Sequence, residues 1–163
     1  MEFNLAGSSA TEALGRALAC ALSGAGGVIY LQGELGAGKT TCVRALLRAL
    51  GVTGLVRSPT YTLVETYPLA ALTCVHVDLY RLQLALEIDE LGLRDLMGAD
   101  CLLLVEWPEK GMGTLPPADL NLLLRYCGES RQASLSAATK LGSGWLQNLG
   151  RDTSLSSYVS NLT

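Results

Sequence analysis

The stretch "LQGELGAGKTT", residues 31–41, places three glycines, a lysine and two threonines between an apolar run and a segment of helical periodicity. Gly33, Gly38, Lys39 and Thr40 satisfy G-x-x-x-x-G-K-[ST], and Gly36 adds a third flexible position. Glycines let the backbone curl until successive N–H groups face inward as an anion nest, and the N-terminus of the following helix adds its positive dipole end. Phosphate oxygens fit such a nest. The motif requires a strand before it and a helix after it. "GVIYLQ", residues 27–32, is a β-branched and aromatic run of the kind that forms a buried strand. From about Lys39 to Leu50, Val43, Leu46, Leu47 and Leu50 recur at helical spacing, Arg44 and Arg48 lie one turn apart on the other side, and Gly51 offers a stop.

Upstream, Ser9 and Glu12 fit a capping box, and Leu14, Leu18, Ala21 and Leu22 predict an amphipathic helix ending before Gly24. Downstream, "TLVETY", "LTCVHVD" and "CLLLVE" read as strands, with a short acidic helix around Leu86 to Leu91 between the second and third. "LNLLLRY" and "ASLSA" predict a closing strand pair, and Lys140 to Leu149 a last helix. The alternation predicts an α/β fold of the three-layer P-loop NTPase type, with a mostly parallel sheet, helices on both faces and late antiparallel strands. Residues 1–150 would form one domain and residues 151–163, serine-rich and weakly patterned, a frayed tail.

With 163 residues, 49% hydrophobic and 17% charged, the chain can bury one good core. A net charge of −3 gives no basic footprint for gripping nucleic acid alone, so any RNA contact calls for a partner. The five cysteines are widely spaced without a C-x-x-C pair, which predicts reduced thiols and a cytoplasmic protein. "MEFNLAGSS" has no basic n-region of a secretory signal. The uncharged run Ala17 to Gly33 contains Ser23, Gly24, Gly26 and Gly27, so it reads as helix end, turn and strand, with no membrane span. The mean hydropathy of +0.31 fits either a generous core or a core plus an exposed apolar patch for association.

Several side chains carry candidate chemistry. Lys39 would reach the β- and γ-phosphates, the Thr40 hydroxyl would bind Mg²⁺, and Thr41 would support the turn. Asp78 and Glu106 each close an apolar run, which puts them at carboxyl ends of strands, where open α/β sheets collect ligands. Two acids there suit metal handling and water positioning, although either alone could be a solvated strand-end acid. His76 shares strand parity with Asp78 and could hydrogen-bond within the site or simply pack. "RSPTYTLVETY", residues 57–67, sets Ser58, Thr60 and Thr62 where P-loop switch proteins sense the γ-phosphate, or forms an ordinary turn. Arg81 in "DLYRL" is a candidate arginine finger or a surface arginine. Two rival readings are a small-molecule P-loop kinase and a nucleotide-gated interaction module; no arginine-rich lid favours the first, and no N-K-x-D-like guanine reader favours a GTPase.

"GELGAGKTT", "SPTYTLVETY", "HVDLYRL" and "LVEWPEKG", in this order, resemble the bacterial TsaE family, from the first helix to the last and less so after Gly150. The resemblance implies a P-loop ATPase acting with TsaB and TsaD to form threonylcarbamoyladenosine in tRNA, binding ATP and Mg²⁺ and turning over slowly alone, with much of the RNA contact on the partners. It implies that Leu35, Gly36, Ala37, Gly38, Lys39 and Thr40 hold the phosphates, with Thr41 next to them in the cofactor-binding loop, and that Thr40 and Glu106 hold the metal. It also implies that Asp78 serves hydrolysis, that Trp107 lies near the nucleotide, that Thr60 belongs to the switch-like loop, and that Thr11 and Arg131 approach the nucleotide.

Overall fold

A computed structural model describes residues 1–83, 87–96, 98, 100–111 and 113–158. Its strands are β1 (Glu2–Leu5), β2 (Gly27–Gly33), β3 (Val64–Pro68), β4 (Thr73–Asp78), β5 (Cys101–Glu106), β6 (Leu120–Cys127) and β7 (Ser130–Ala137). The helices are α1 (Ser8–Leu22), α2 (Lys39–Ala49), α3 (Glu87–Glu90), α4 (Leu93–Leu96) and α5 (Lys140–Gly150). One seven-stranded sheet runs in the order β1-β7-β6-β2-β5-β4-β3. Its middle is parallel, with β2 between β5 and β6 and with β4 beside β5. Both flanks are antiparallel: β1 on β7, β6 on β7, and β3 on β4.

The antiparallel strands are therefore not only late. β3 runs against β4 because only Leu69 to Leu72 joins them, with Leu69 N–H donating to the Leu72 carbonyl; a connection that short cannot make a parallel crossover. β1 is a strand that the sequence reading did not foresee. Its four residues alternate weakly, yet Phe3 and Leu5 are fully buried, and the partner strand is remote in sequence. The expected capping box does not form either. α1 starts at Ser8 from an N-cap at Gly7 with no side-chain cap, and Glu12 instead pairs with Arg16 one turn on, at 3.8 Å.

Strand parity separates two cores. Ile29, Leu31, Cys74, Leu102, Leu104, Leu120, Leu122 and Leu124 face one way, packed with side chains of α1, α2 and α5. Val28, Val75, Val77, Leu103 and Val105 face the other way, against Leu79, Leu82, Ile88 of α3 and Leu93 of α4. Helices thus cover both faces, but unequally. The acidic helix expected from Leu86 is observed as α3 from Glu87; Leu86 itself lies outside the described residues. Nor does the tail fray as expected through Tyr158. Thr153–Tyr158 forms a 3₁₀ turn whose Leu155 is 1% exposed in the α1, α2 and α5 core, so one leucine anchors it. Residues 159–163 lie outside the described residues. Among the described residues no helix is long and apolar enough to cross a membrane.

Candidate functional site

β2 delivers the chain at Gly33 and α2 takes it up at Lys39, so the residues between must reverse direction tightly. Gly33, Gly36 and Gly38 adopt φ of 134°, 78° and 110°, which side chains disfavour. Space forbids side chains as well: a Cβ on Gly33 would collide with the Leu124 carbonyl, and one on Gly36 would lie 2.7 Å from the Tyr126 hydroxyl. Ala37, wholly buried, pins the loop to the core. Gly38 is the N-cap of α2 and no side chain caps its first turn, leaving those amides for an external acceptor.

In front of the loop lies a cavity of about 220 Å³. Leu35, Gly36, Gly38, Lys39, Thr40 and Thr41 line it from one side, Ser58 and Thr60 from the 57–63 loop, Asp78 and Tyr80 from the end of β4, and Glu106 and Trp107 from the end of β5. The parallel register explains the convergence of the acids, since Asp78 pairs with Glu106 across β4 and β5. A larger cleft of about 390 Å³ between α1 and α2 is lined by Glu12, Arg16, Arg44 and Arg48, and it shares only Thr41 with the first. It holds neither loop glycine nor strand-end acid, so the smaller cavity is where the candidate chemistry gathers.

Lys39 is 4% exposed; its ammonium donates to the Gly33 carbonyl at 2.7 Å and the Glu34 carbonyl at 2.9 Å. It also stands 3.9 Å from the centre of the Trp107 ring. Burial holds its pKa below the ordinary lysine value, while Glu106, Asp78 and Glu109 pull it back up. Trp107 reaches that position with φ of 59°, unusual for a bulky residue, and its ring packs on Tyr80 with centroids 5.1 Å apart. Thr40 Oγ1 donates to Glu106 Oε2 at 3.0 Å. Asp78 is claimed from both sides: its Oδ2 accepts from Ser58 Oγ at 2.9 Å and Thr60 Oγ1 at 2.8 Å, and its Oδ1 accepts from Tyr80 N–H at 3.0 Å.

Most of the residues expected at the site are thus brought together, with Ala37 beneath the loop. Thr62 is not among them; it is exposed and donates to Glu65 Oε1 at 3.2 Å, because β3 turns away from the cavity directly after it. Arg81 does not line the cavity either, as its guanidinium lies 4.1 Å from the Tyr61 ring centre. Thr11 and Arg131 flank the loop: a Cβ on Gly38 would lie 3.2 Å from Thr11 Cγ2 and 3.9 Å from Arg131 Cδ. Sequence reasoning missed Tyr80 and Tyr126, whose hydroxyl donates to the Leu35 carbonyl at 3.3 Å. Tyr80 was within reach of the motif, two positions after Asp78; Tyr126 is placed only by β6.

The fold and this site define a mixed α/β protein with a glycine-rich strand-to-helix loop faced by two buried strand-end carboxylates. The family described as threonylcarbamoyl adenosine biosynthesis protein TsaE matches residues 5–133. Similar proteins include the tRNA threonylcarbamoyladenosine biosynthesis proteins TsaE of Haemophilus influenzae, 47% identical over 71% of this chain and 73% of that one, and of Streptomyces coelicolor, 40% identical over 81% and 91%. The crystal structure of Bacillus subtilis YdiB superposes with a TM-score of 0.76 at 27% identity, covering 93% of this chain and 94% of the other. The chain belongs to the TsaE family and so to tRNA threonylcarbamoyladenosine biosynthesis.

Proposed function

We propose that the chain is a cytoplasmic P-loop ATPase of that pathway, acting with TsaB and TsaD and meeting tRNA through them. The observation that carries the ATPase reading is the meeting of the glycine loop, Lys39, the Thr40–Glu106 pair and Asp78 in one cavity. Uncapped amides and a buried ammonium suit the phosphates of ATP. The hydroxyl of Thr40 and the carboxylate of Glu106 are hard oxygen donors of the kind Mg²⁺ takes. Among the described residues no three His, Cys, Asp or Glu side chains are grouped to hold a metal by themselves, which fits an ion that Mg·ATP brings with it. When bound, Mg²⁺ would offset phosphate charge as it builds. Lys39 and the loop amides add fixed positive ends beside it, and Asp78 orients the attacking water. Among the described residues no arginine lines the cavity, so turnover by the chain alone is expected far below ~10 s⁻¹, with a partner completing the site.

A second reading has a specific support: the Asp78 carboxylate is occupied by Ser58 and Thr60, as in a latch on a nucleotide-gated loop. One experiment addresses both. Titration calorimetry with Mg·ATP should give a clear binding isotherm that Lys39→Ala weakens at least tenfold, and γ-labelled ATP should release its label as inorganic phosphate. Asp78→Ala should keep binding and lose hydrolysis. Full tRNA modification by that variant with TsaB and TsaD would favour gating, whereas absence of binding by the unaltered chain would end the ATPase reading.

A further inference from the structure

The buried group that the proposed mechanism leaves unused is His76, the one histidine of the chain. It lies on β4, two residues before Asp78, opposite Leu104 in the parallel register with β5, so that Glu106 is its diagonal neighbour. Its Nε2 is 2.9 Å from Glu106 Oε1, and the side chains are 0% and 2% exposed. The other Glu106 oxygen receives the Thr40 hydroxyl at 3.0 Å. Each oxygen of one carboxylate is therefore held by a different element, β4 on one side and α2 on the other, and the group cannot rotate without breaking a buried hydrogen bond. Glu106 as a carboxylate only accepts, so Nε2 carries a proton. Nδ1 is buried without a hydrogen-bond partner among the described residues. A side chain kept only for packing would not bury an unpaired nitrogen, since an apolar residue of similar size fills the space without it.

We propose that His76 is a positioning residue that fixes the Glu106 carboxylate in the orientation needed to receive the divalent cation of the bound nucleotide. The inference rests on the Mg·ATP reading above and adds a residue to it. Outer partners of this kind typically set metal affinity by 10–100-fold.

The test compares His76→Leu, which fills the space without a donor, with His76→Gln, whose amide N–H reaches about as far as Nε2. ADP binding is titrated calorimetrically across Mg²⁺ concentrations. His76→Leu should bind metal-free ADP within about twofold of the unaltered chain, while its Mg²⁺ midpoint rises ~10–100-fold; His76→Gln should recover most of that loss. An unchanged midpoint in folded His76→Leu, with only a lower melting temperature, would show a packing role and overturn the proposal, as would a glutamine variant no better than leucine. Should His76→Leu not fold, the unaltered chain still decides. With ¹⁵N-histidine labelling, its one Nε2 resonance should move when Mg²⁺ is added to the ADP complex, and a still resonance overturns the proposal. No Mg²⁺-dependent gain in the unaltered chain would overturn the metal reading itself, an outcome distinct from a metal site indifferent to His76.

Discussion

Lys39 shows how burial of a single charge sets a working range. Desolvation lowers its pKa from 10.5, opposed by Glu106, Asp78 and Glu109. A base depressed on folding binds fewer protons in the native state than in the unfolded chain across the window between its two pKa values. Native stability therefore rises with pH there, while affinity for a triphosphate falls as the cation is lost. ATP affinity measured from pH 7 upward should decline below the ordinary lysine range; Lys39→Arg, charged throughout, should show no such decline, whatever its absolute affinity. Gly33, Gly36 and Gly38 were legible as a loop from spacing alone, because their chemistry is local. The roles of Ser58 and Thr60 were not separable from a turn, since their bonds to Asp78 join positions about twenty residues apart.

Between elements, the site depends on how closely α1 approaches α2. Gly15 makes the approach possible: a Cβ there would collide with the Cys42 carbonyl and lie 2.9 Å from Ala45 Cβ. Gly15→Ala is expected to destabilise the fold by ~1–3 kcal/mol, the usual result of overpacking, and thermal unfolding should report a lower midpoint. Because α2 begins with Lys39 and Thr40, displacement of its axis should also weaken Mg·ATP binding. Helical periodicity foretold α1 and α2, each long enough to show a stripe, and the helix expected from Lys140 to Leu149 is observed as α5. Gly51, at φ 107°, stops α2 as foreseen, with Val52 N–H donating to the Leu47 carbonyl. β1 escaped notice because four residues carry little pattern and its burial is decided by β7, more than a hundred positions away.

At the scale of the molecule, the two cores protect three of the five thiols. Cys42, Cys74 and Cys101 are buried, Cys20 and Cys127 exposed, and all five are free. Burial pushes the Cys42 and Cys74 thiols up to about 12, with Glu106 adding to the first and Cys101 to the second. A disulfide reagent at neutral pH should titrate two thiols rapidly in the native protein and five after denaturation. Rapid reaction of a third would mean that the sheet opens under native conditions.

What the chain determined by itself is whatever adjacent residues dictate: a curled glycine turn between an apolar strand and an amphipathic helix, and acids at the ends of two apolar runs. Only the tertiary structure decided that β4 and β5 align Asp78 with Glu106, that Thr40 and His76 grip Glu106 from two elements, and that Thr62 turns away. The bonds of Thr40 and His76 to Glu106 join residues 66 and 30 positions apart, and their existence depends on strand register and helix approach, which packing of the whole core fixes and no short window of sequence contains.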